Sequence, residues 1–151
     1  MAIVPINVNY TYNILRQNLI TLLSKYPFIN VQVVGKSVMG KNIYVCKLGK
    51  GSKKVFYSAS IHANEWITSV VLMKFIEDYC DAYVNNGFLY GYSIRELFDS
   101  CSIFIMPMVN PDGVDLVTGS IDTNSAFYQN VVSISRLFPY IPFPSRMESK
   151  Y

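Results

Sequence analysis

A chain of 151 residues, 51% hydrophobic and only 15% charged, can bury one sizeable core, which excludes an extended disordered polypeptide and predicts a single domain over residues 1–151. The 13 basic and 10 acidic residues leave +3, and lysines such as Lys25, Lys36, Lys41, Lys53 and Lys74 are scattered instead of striped, so no nucleic-acid partner is indicated. The segment Met1 to Tyr10 lacks the basic and apolar regions of a signal peptide, and no run of 18 charge-free apolar residues could span a bilayer; the expectation is a cytoplasmic protein with no membrane partner.

In chain order, Tyr12, Leu15, Leu19, Leu22, Leu23 and Tyr26 recur at three- and four-residue steps, predicting an amphipathic helix capped by Thr11 and stopped by Pro27. Val31 to Val34 and Ile43 to Leu48 are rich in β-branched residues and flank Met39-Gly40-Lys41-Asn42, which predicts a hairpin around a polar turn. Val55 to Ile61 is a short apolar run, and Trp66 to about Val84 is a long apolar segment whose pattern covers most of a helix circumference, as expected of a helix packed between a sheet and other elements. A loop at Gly87 to Gly91, one or two helical turns at Ile94 to Phe98, and a buried strand at Ser102 to Met106 follow, closed by Pro107 and the turn Asn110-Pro111-Asp112-Gly113.

Strand, long helix and strand favour a parallel pair with a crossover, and the earlier hairpin adds antiparallel strands. The predicted fold class is therefore α/β, a mixed parallel and antiparallel sheet flanked by helices. Beyond Thr118 the pattern weakens to a polar loop, a short helix near Phe127 to Leu137, and a segment from Phe138 to Pro144 whose three prolines forbid regular structure. Cys46, Cys80 and Cys101 are an odd number, each inside an apolar run, and read as buried free thiols instead of a disulfide framework or a thiolate zinc site.

The chemistry concentrates in Ile61-His62-Ala63-Asn64-Glu65-Trp66. A histidine closing a strand and a glutamate three residues later opening a helix lie on one face of the turn, and imidazole nitrogen with carboxylate oxygen suits Zn²⁺. Spacing alone is a weak signal, since a satisfied histidine beside a solvated glutamate gives the same pattern. The flanks add to it. The run Ser58-Ala-Ser-Ile-His62-Ala-Asn-Glu65-Trp-Ile-Thr68, followed by the long helix and by Pro107-Met-Val-Asn110-Pro-Asp-Gly113, closely resembles the zinc carboxypeptidase family. The resemblance runs from Tyr12 to about Pro144, takes in Gly35-Lys-Ser and Gly40-Lys-Asn-Ile43, and is nearest to the bacterial γ-D-glutamyl-diamino acid endopeptidases that cut peptidoglycan stem peptides.

That resemblance implies the N-terminal part of the zinc carboxypeptidase fold, with His62 and Glu65 as two of three protein zinc ligands and Asn64 at a substrate-side position that is arginine in the digestive carboxypeptidases. Trp66 and Asp112 are read as structural, and Gly113-Val-Asp-Leu116, which mimics the family's Gly-Val-Asp-Leu-Asn-Arg motif, as a decoy. The family's third ligand is a distant histidine, whereas His62 is the only histidine here. Its oxyanion arginine, its asparagine-arginine pair for the substrate carboxylate and its general-base glutamate have no matching positions either, so no catalytic residue is assigned and the Zn²⁺ site is expected to be weak or incomplete.

The final six residues, Arg146-Met-Glu-Ser-Lys-Tyr151, depart from the Gly-Trp-Lys-Ala-Asn-Ile expected of relatives. One adenine inserted before GGA-TGG-AAA-GCA-AAT-ATT yields codons for those six residues, which leads to the expectation of a peptidase truncated by a frameshift, with 146–151 an out-of-frame tail. The expected function is a peptidase of cell-wall peptides, inactive in this form; its partners are a peptide or stem-peptide substrate of the intact parent and, through exposed apolar faces, copies of itself. The alternatives are a non-catalytic module that binds cell-wall peptide or a partner, and completion in trans by a separate C-terminal half.

Overall fold

Thr11 opens the first helix, its hydroxyl accepting the Ile14 N–H, and α1 spans Tyr12–Lys25 with Tyr12, Leu15, Leu19 and Leu22 turned inward. The structure, a computed structural model, describes residues 2–137, so the proline-rich segment and the 146–151 tail lie outside the described residues. The predicted hairpin forms from β1 (Asn30–Lys36) and β2 (Asn42–Leu48), antiparallel, with a register shift between Val33 and Gly35. β3 (Lys53–Ser58), the long helix α2 (Trp66–Val84) and β6 (Cys101–Met106) make the predicted crossover unit, and β3 and β6 pair in parallel. Between them the Gly87 to Gly91 loop carries a two-residue ladder, β4 (Phe88–Leu89) with β5 (Tyr92–Ser93), and leads into α3 (Ile94–Ser100).

The four-stranded sheet has the order β1-β2-β6-β3, mixed as expected. Because β2 pairs with β6 through Cys46↔Ile105 and Leu48↔Ile103, those four side chains share one face. They form the core with Leu15, Leu19 and Leu22 of α1, Met73, Ile76 and Cys80 of α2, and Phe98 of α3. Cys46 and Cys80 are buried free thiols and Cys101 is half-buried; burial pushes the Cys46 and Cys80 thiols up to about 12, which keeps them protonated and inert.

Several expectations need correction. The strand predicted to reach Ile61 ends at Ser58, because the backbone turns at Ser60. β6 is buried as expected, but β3 is the edge of the sheet, and all six of its residues are exposed, Phe56 by 56%. α2 is covered along the stripe Ser69, Val70, Met73, Ile76, Glu77 and Cys80, whereas Ile67 and Val71 face outward over an apolar groove of about 450 Å³. The Asn110 to Gly113 turn is the first turn of a helix, α4 (Pro111–Val117), with the Asn110 side chain capping the Gly113 N–H and Pro111 at the first helical position. The last predicted helix is α5 (Ala126–Ser135).

Buried Glu77 ties the chain's beginning to α2: it accepts the N–H groups of Ile3 (2.6 Å) and Val4 (3.2 Å) and pairs with Lys74 at 3.2 Å. Among the described residues no helix is long and apolar enough to cross a membrane.

Candidate metal centre

The site begins where β3 leaves the sheet. Ala59 still donates to Met106 O at 3.0 Å, and Val109 and Asn110 donate back to Ala59 O (2.9 Å) and Ser60 O (3.0 Å), so the ends of the two parallel strands remain laced together. Ser60 then adopts φ +50°, a left-handed conformation costing a non-glycine residue about 1–2 kcal/mol. Its bonds offset that cost. Ser60, 1% exposed, donates its N–H to Thr68 Oγ1 at 2.9 Å, lies 2.6 Å from Ser69 Oγ, and gives its hydroxyl to Glu65 O at 3.2 Å.

His62 follows in extended conformation as the cap of a single 3₁₀ turn, Ala63–Glu65, that leads directly into α2. The turn is closed by the Glu65 N–H to His62 O bond at 3.2 Å, and Thr68 Oγ1 donates to Glu65 O at 2.7 Å. His62 and Glu65 project outward, 74% and 51% exposed, with Nδ1 and Oε1 3.1 Å apart. Thus Ser60 and Ser69 are buried while His62 and Glu65 face solvent.

The 3.1 Å separation is the test of fit for zinc. Two donors on one tetrahedral ion at zinc-to-ligand distances near 2.1 Å lie about 3.4 Å apart, so a small side-chain rotation brings Nδ1 and Oε1 to chelating separation. The donor types, an imidazole nitrogen and a carboxylate oxygen, are right as well. Two donors do not complete a site. Among the described residues no cluster of three or more His, Cys, Asp or Glu side chains could hold a metal ion. At least two coordination positions on an ion held by His62 and Glu65 are therefore left to water, substrate or donors from elsewhere.

The other singled-out residues fall into place. Asn64 is exposed on the same turn, and its side chain has no hydrogen-bond partner among the described residues. Trp66 is half-buried and packs against the core, as a structural reading requires. Asp112 is buried and accepts Ser37 Oγ and the Met39 N–H, both at 2.9 Å; Asp115, inside the decoy motif, accepts the Tyr12 N–H at 2.8 Å. α4 lies against the metal turn: a Cβ on Gly113 would stand 2.9 Å from Ala63 Cβ. The sequence reading missed the roles of Ser60, Thr68 and Ser69, although Ser60 and Thr68 stood in the quoted motif, and it placed Lys41 in the hairpin turn without foreseeing its ion pairs with Asp112 and Asp115.

The family described as zinc carboxypeptidase matches residues 15–139. The γ-D-glutamyl-L-diamino acid endopeptidase 1 of Lysinibacillus sphaericus is 37% identical over 125 residues, covering 83% of this chain and 32% of that protein. The zinc carboxypeptidase of Saccharothrix mutabilis subsp. capreolus is 35% identical over 100 residues, 61% of this chain and 22% of that one. Among solved structures, bovine thrombin-activatable fibrinolysis inhibitor in complex with tick carboxypeptidase inhibitor superposes with a TM-score of 0.60 at 25% identity, over 71% of this chain and 33% of the other. The chain spans about a third of the length of these relatives, or less.

Proposed function

The chain belongs to the zinc carboxypeptidase family, and from that premise we propose that His62 Nδ1 and Glu65 Oε1 are zinc donors of a peptidase acting on cell-wall peptides. The observation that carries the reading is their 3.1 Å juxtaposition on a turn tied down by the Ser60 and Thr68 hydroxyls, both of which donate to Glu65 O. When bound, the ion would polarise a scissile carbonyl and acidify a water for attack on it. This chain's residues hold and orient: the capped turn fixes the two donors, and exposed Asn64 stands beside them where a substrate would pass. The choice of cell-wall stem peptide rests on the name of the endopeptidase that this chain is similar to.

The same residues limit what the 151-residue chain does by itself. It has one histidine, and the described residues gather no third metal donor. Peptide hydrolysis by this chain alone is therefore expected to be absent, and zinc affinity to fall below the roughly 10 kcal/mol of complete four-donor sites, a Kd above about 50 nM. Calorimetric titration with zinc tests both halves of the proposal. Weak binding lost in His62→Ala supports it; no binding to the wild-type chain refutes the assignment of the donors, and tight stoichiometric binding refutes the incompleteness.

One further observation bears on the chain's state in solution. β3 presents Val55, Phe56 and Tyr57 to solvent and pairs, among the described residues, with β6 alone. Among the described residues no strand covers its outer edge, and an open edge beside apolar side chains favours strand pairing with a second copy.

A further inference from the structure

The turn between β1 and β2 meets the start of α4 at a buried ion cluster. Lys41 Nζ lies 2.7 Å from Asp115 Oδ2 and 3.4 Å from Asp112 Oδ1. Asp112 also accepts Ser37 Oγ through Oδ1 and the Met39 N–H through Oδ2, and Asp115 Oδ1 accepts the N–H of Tyr12 at the head of α1. All four carboxylate oxygens thus have a donor, and the one lysine serves both acids, which is how buried charge is tolerated. Lys41 further reaches Pro111 O at 3.4 Å, and Ser37 Oγ accepts the Lys41 N–H at 3.0 Å, so the hairpin turn and α4 are joined at both ends of the lysine.

This cluster is one residue away from the metal turn. Gly113, next to Asp112, packs against Ala63, and Asn110 caps Gly113 while donating to Ile61 O at 3.4 Å. His62 is therefore flanked by two residues, Ile61 and Ala63, whose positions are set by the first turn of α4. The ion cluster anchors α4 together with Val114, which is buried in the core, since a helix of seven residues does not hold its place by its own hydrogen bonds alone.

We propose that Lys41 and Asp112 are positioning residues for the His62 and Glu65 pair: they touch neither donor and act through α4. The inference rests on the reading of that pair as zinc donors, but it makes a claim about the turn that holds with or without metal. Loss of the Asp112 charge loosens the grip on Ser37, Met39 and Lys41 together, lets the first turn of α4 drift, and frees the Ile61 to Trp66 segment. The remainder of α2, anchored by Met73, Ile76 and Cys80 in the core, does not depend on it.

The test compares Asp112→Asn with Asp81→Asn, which breaks the Lys25 and Tyr26 contacts about 24 Å along α2 from Glu65. Hydrogen exchange of the metal-free chain is read at Ala63–Glu65 and at Met73–Cys80. Asp112→Asn is expected to speed exchange at the turn about tenfold while leaving the α2 core unchanged, and Asp81→Asn to leave the turn unchanged. Ser37→Ala, which removes one neutral bond, should move the turn in the same direction by less. Equal acceleration of both segments in Asp112→Asn, or of neither, overturns the proposal. Zinc affinity by chelator competition should fall about tenfold in Asp112→Asn. If the wild-type chain holds no zinc, the donor assignment fails while the exchange comparison still decides the positioning role.

Discussion

Replacing Gly113 by alanine sets two effects against each other, and the structure decides the sign. Inside a helix the exchange normally stabilises by about 1 kcal/mol, because glycine loses more backbone freedom on folding and alanine is the better helix former. Here the new methyl would stand 2.5 Å from Asn110 Nδ2 and 2.9 Å from Ala63 Cβ, closer than carbon atoms approach such neighbours. The Asn110 side chain abandons its cap on the Gly113 N–H, a loss of about 1 kcal/mol, and Ala63 yields and carries the Ala63–Glu65 turn with it. Overpacking of this kind costs about 2 kcal/mol. With cap loss added and helix propensity subtracted, the net is about 2 kcal/mol of destabilisation, or about 4–8 °C in melting temperature for a domain of this size. Urea and thermal unfolding of Gly113→Ala measure it. Ala63→Gly in the same background removes one of the two clashes, and about 1 kcal/mol should return as coupling between the two sites. A Gly113→Ala variant as stable as the wild type, or more stable, would refute the reasoning, because propensity would then have outweighed a contact that does not exist.

The Glu77 carboxyl supplies a pH prediction: burial alone would raise its pKa, but the Ile3 and Val4 N–H groups and Lys74 hold it below the ordinary value. Its contribution is present above the unfolded-state pKa and is lost as pH falls through the depressed folded value, so Glu77→Gln should remove about 2 kcal/mol at neutral pH and flatten the acid limb of a stability-against-pH curve; an unchanged acid limb would count against the buried clamp. Glu65→Gln keeps size and polarity but removes the carboxylate charge, and should weaken zinc binding in titration without lowering the unfolding free energy by more than about 1 kcal/mol, since the side chain is half exposed. Phe56→Lys places a charge on the free edge beside Lys54 and should reduce concentration-dependent association in sedimentation velocity; equal sedimentation of variant and wild type across a concentration series would show that the edge does not pair.

Where periodicity and turn chemistry were strong, the elements were legible in the sequence. The Thr11-capped helix, the hairpin around Met39 to Asn42 and the strand, helix, strand unit all stand within a few residues of their predicted bounds. What failed to show was tertiary. Val55 to Tyr57 read only as part of a short apolar run, and apolar composition carries no information about which strand lies at an edge. Asn110-Pro-Asp-Gly113 satisfies both turn and helix-start chemistry, and only the four residues that follow, packed on α1 and the metal turn, select the helix. The contacts of Lys41, Asp112 and Asp115 were invisible because their partners are about 70 to 100 residues apart in the chain, as the separations of 74 and 103 for Lys41 with Asp115 and Tyr12 with Asp115 show.

The division between the exposed His62 and Glu65 and the buried Ser60 and Ser69 has an energetic meaning. His62 and Glu65 contribute little to holding the fold, since an exposed pair of this kind is worth at most about 1 kcal/mol. Ser60, by contrast, holds an unfavourable φ, and that strain is met by bonds to Glu65, Thr68 and Ser69 before any ion arrives. An ion binding to Nδ1 and Oε1 consequently does not have to order the turn, and neither does a third donor brought from another segment or chain. Its full coordination energy would then appear as affinity. A mutation that leaves the donors untouched but relaxes Ser60, such as Ser60→Gly, removes the strain and the hydroxyl bonds together, and its effect should fall on zinc affinity more heavily than on stability. Titration and melting measured on the same sample distinguish that outcome from a plain loss of folding, in which the two would decline in proportion.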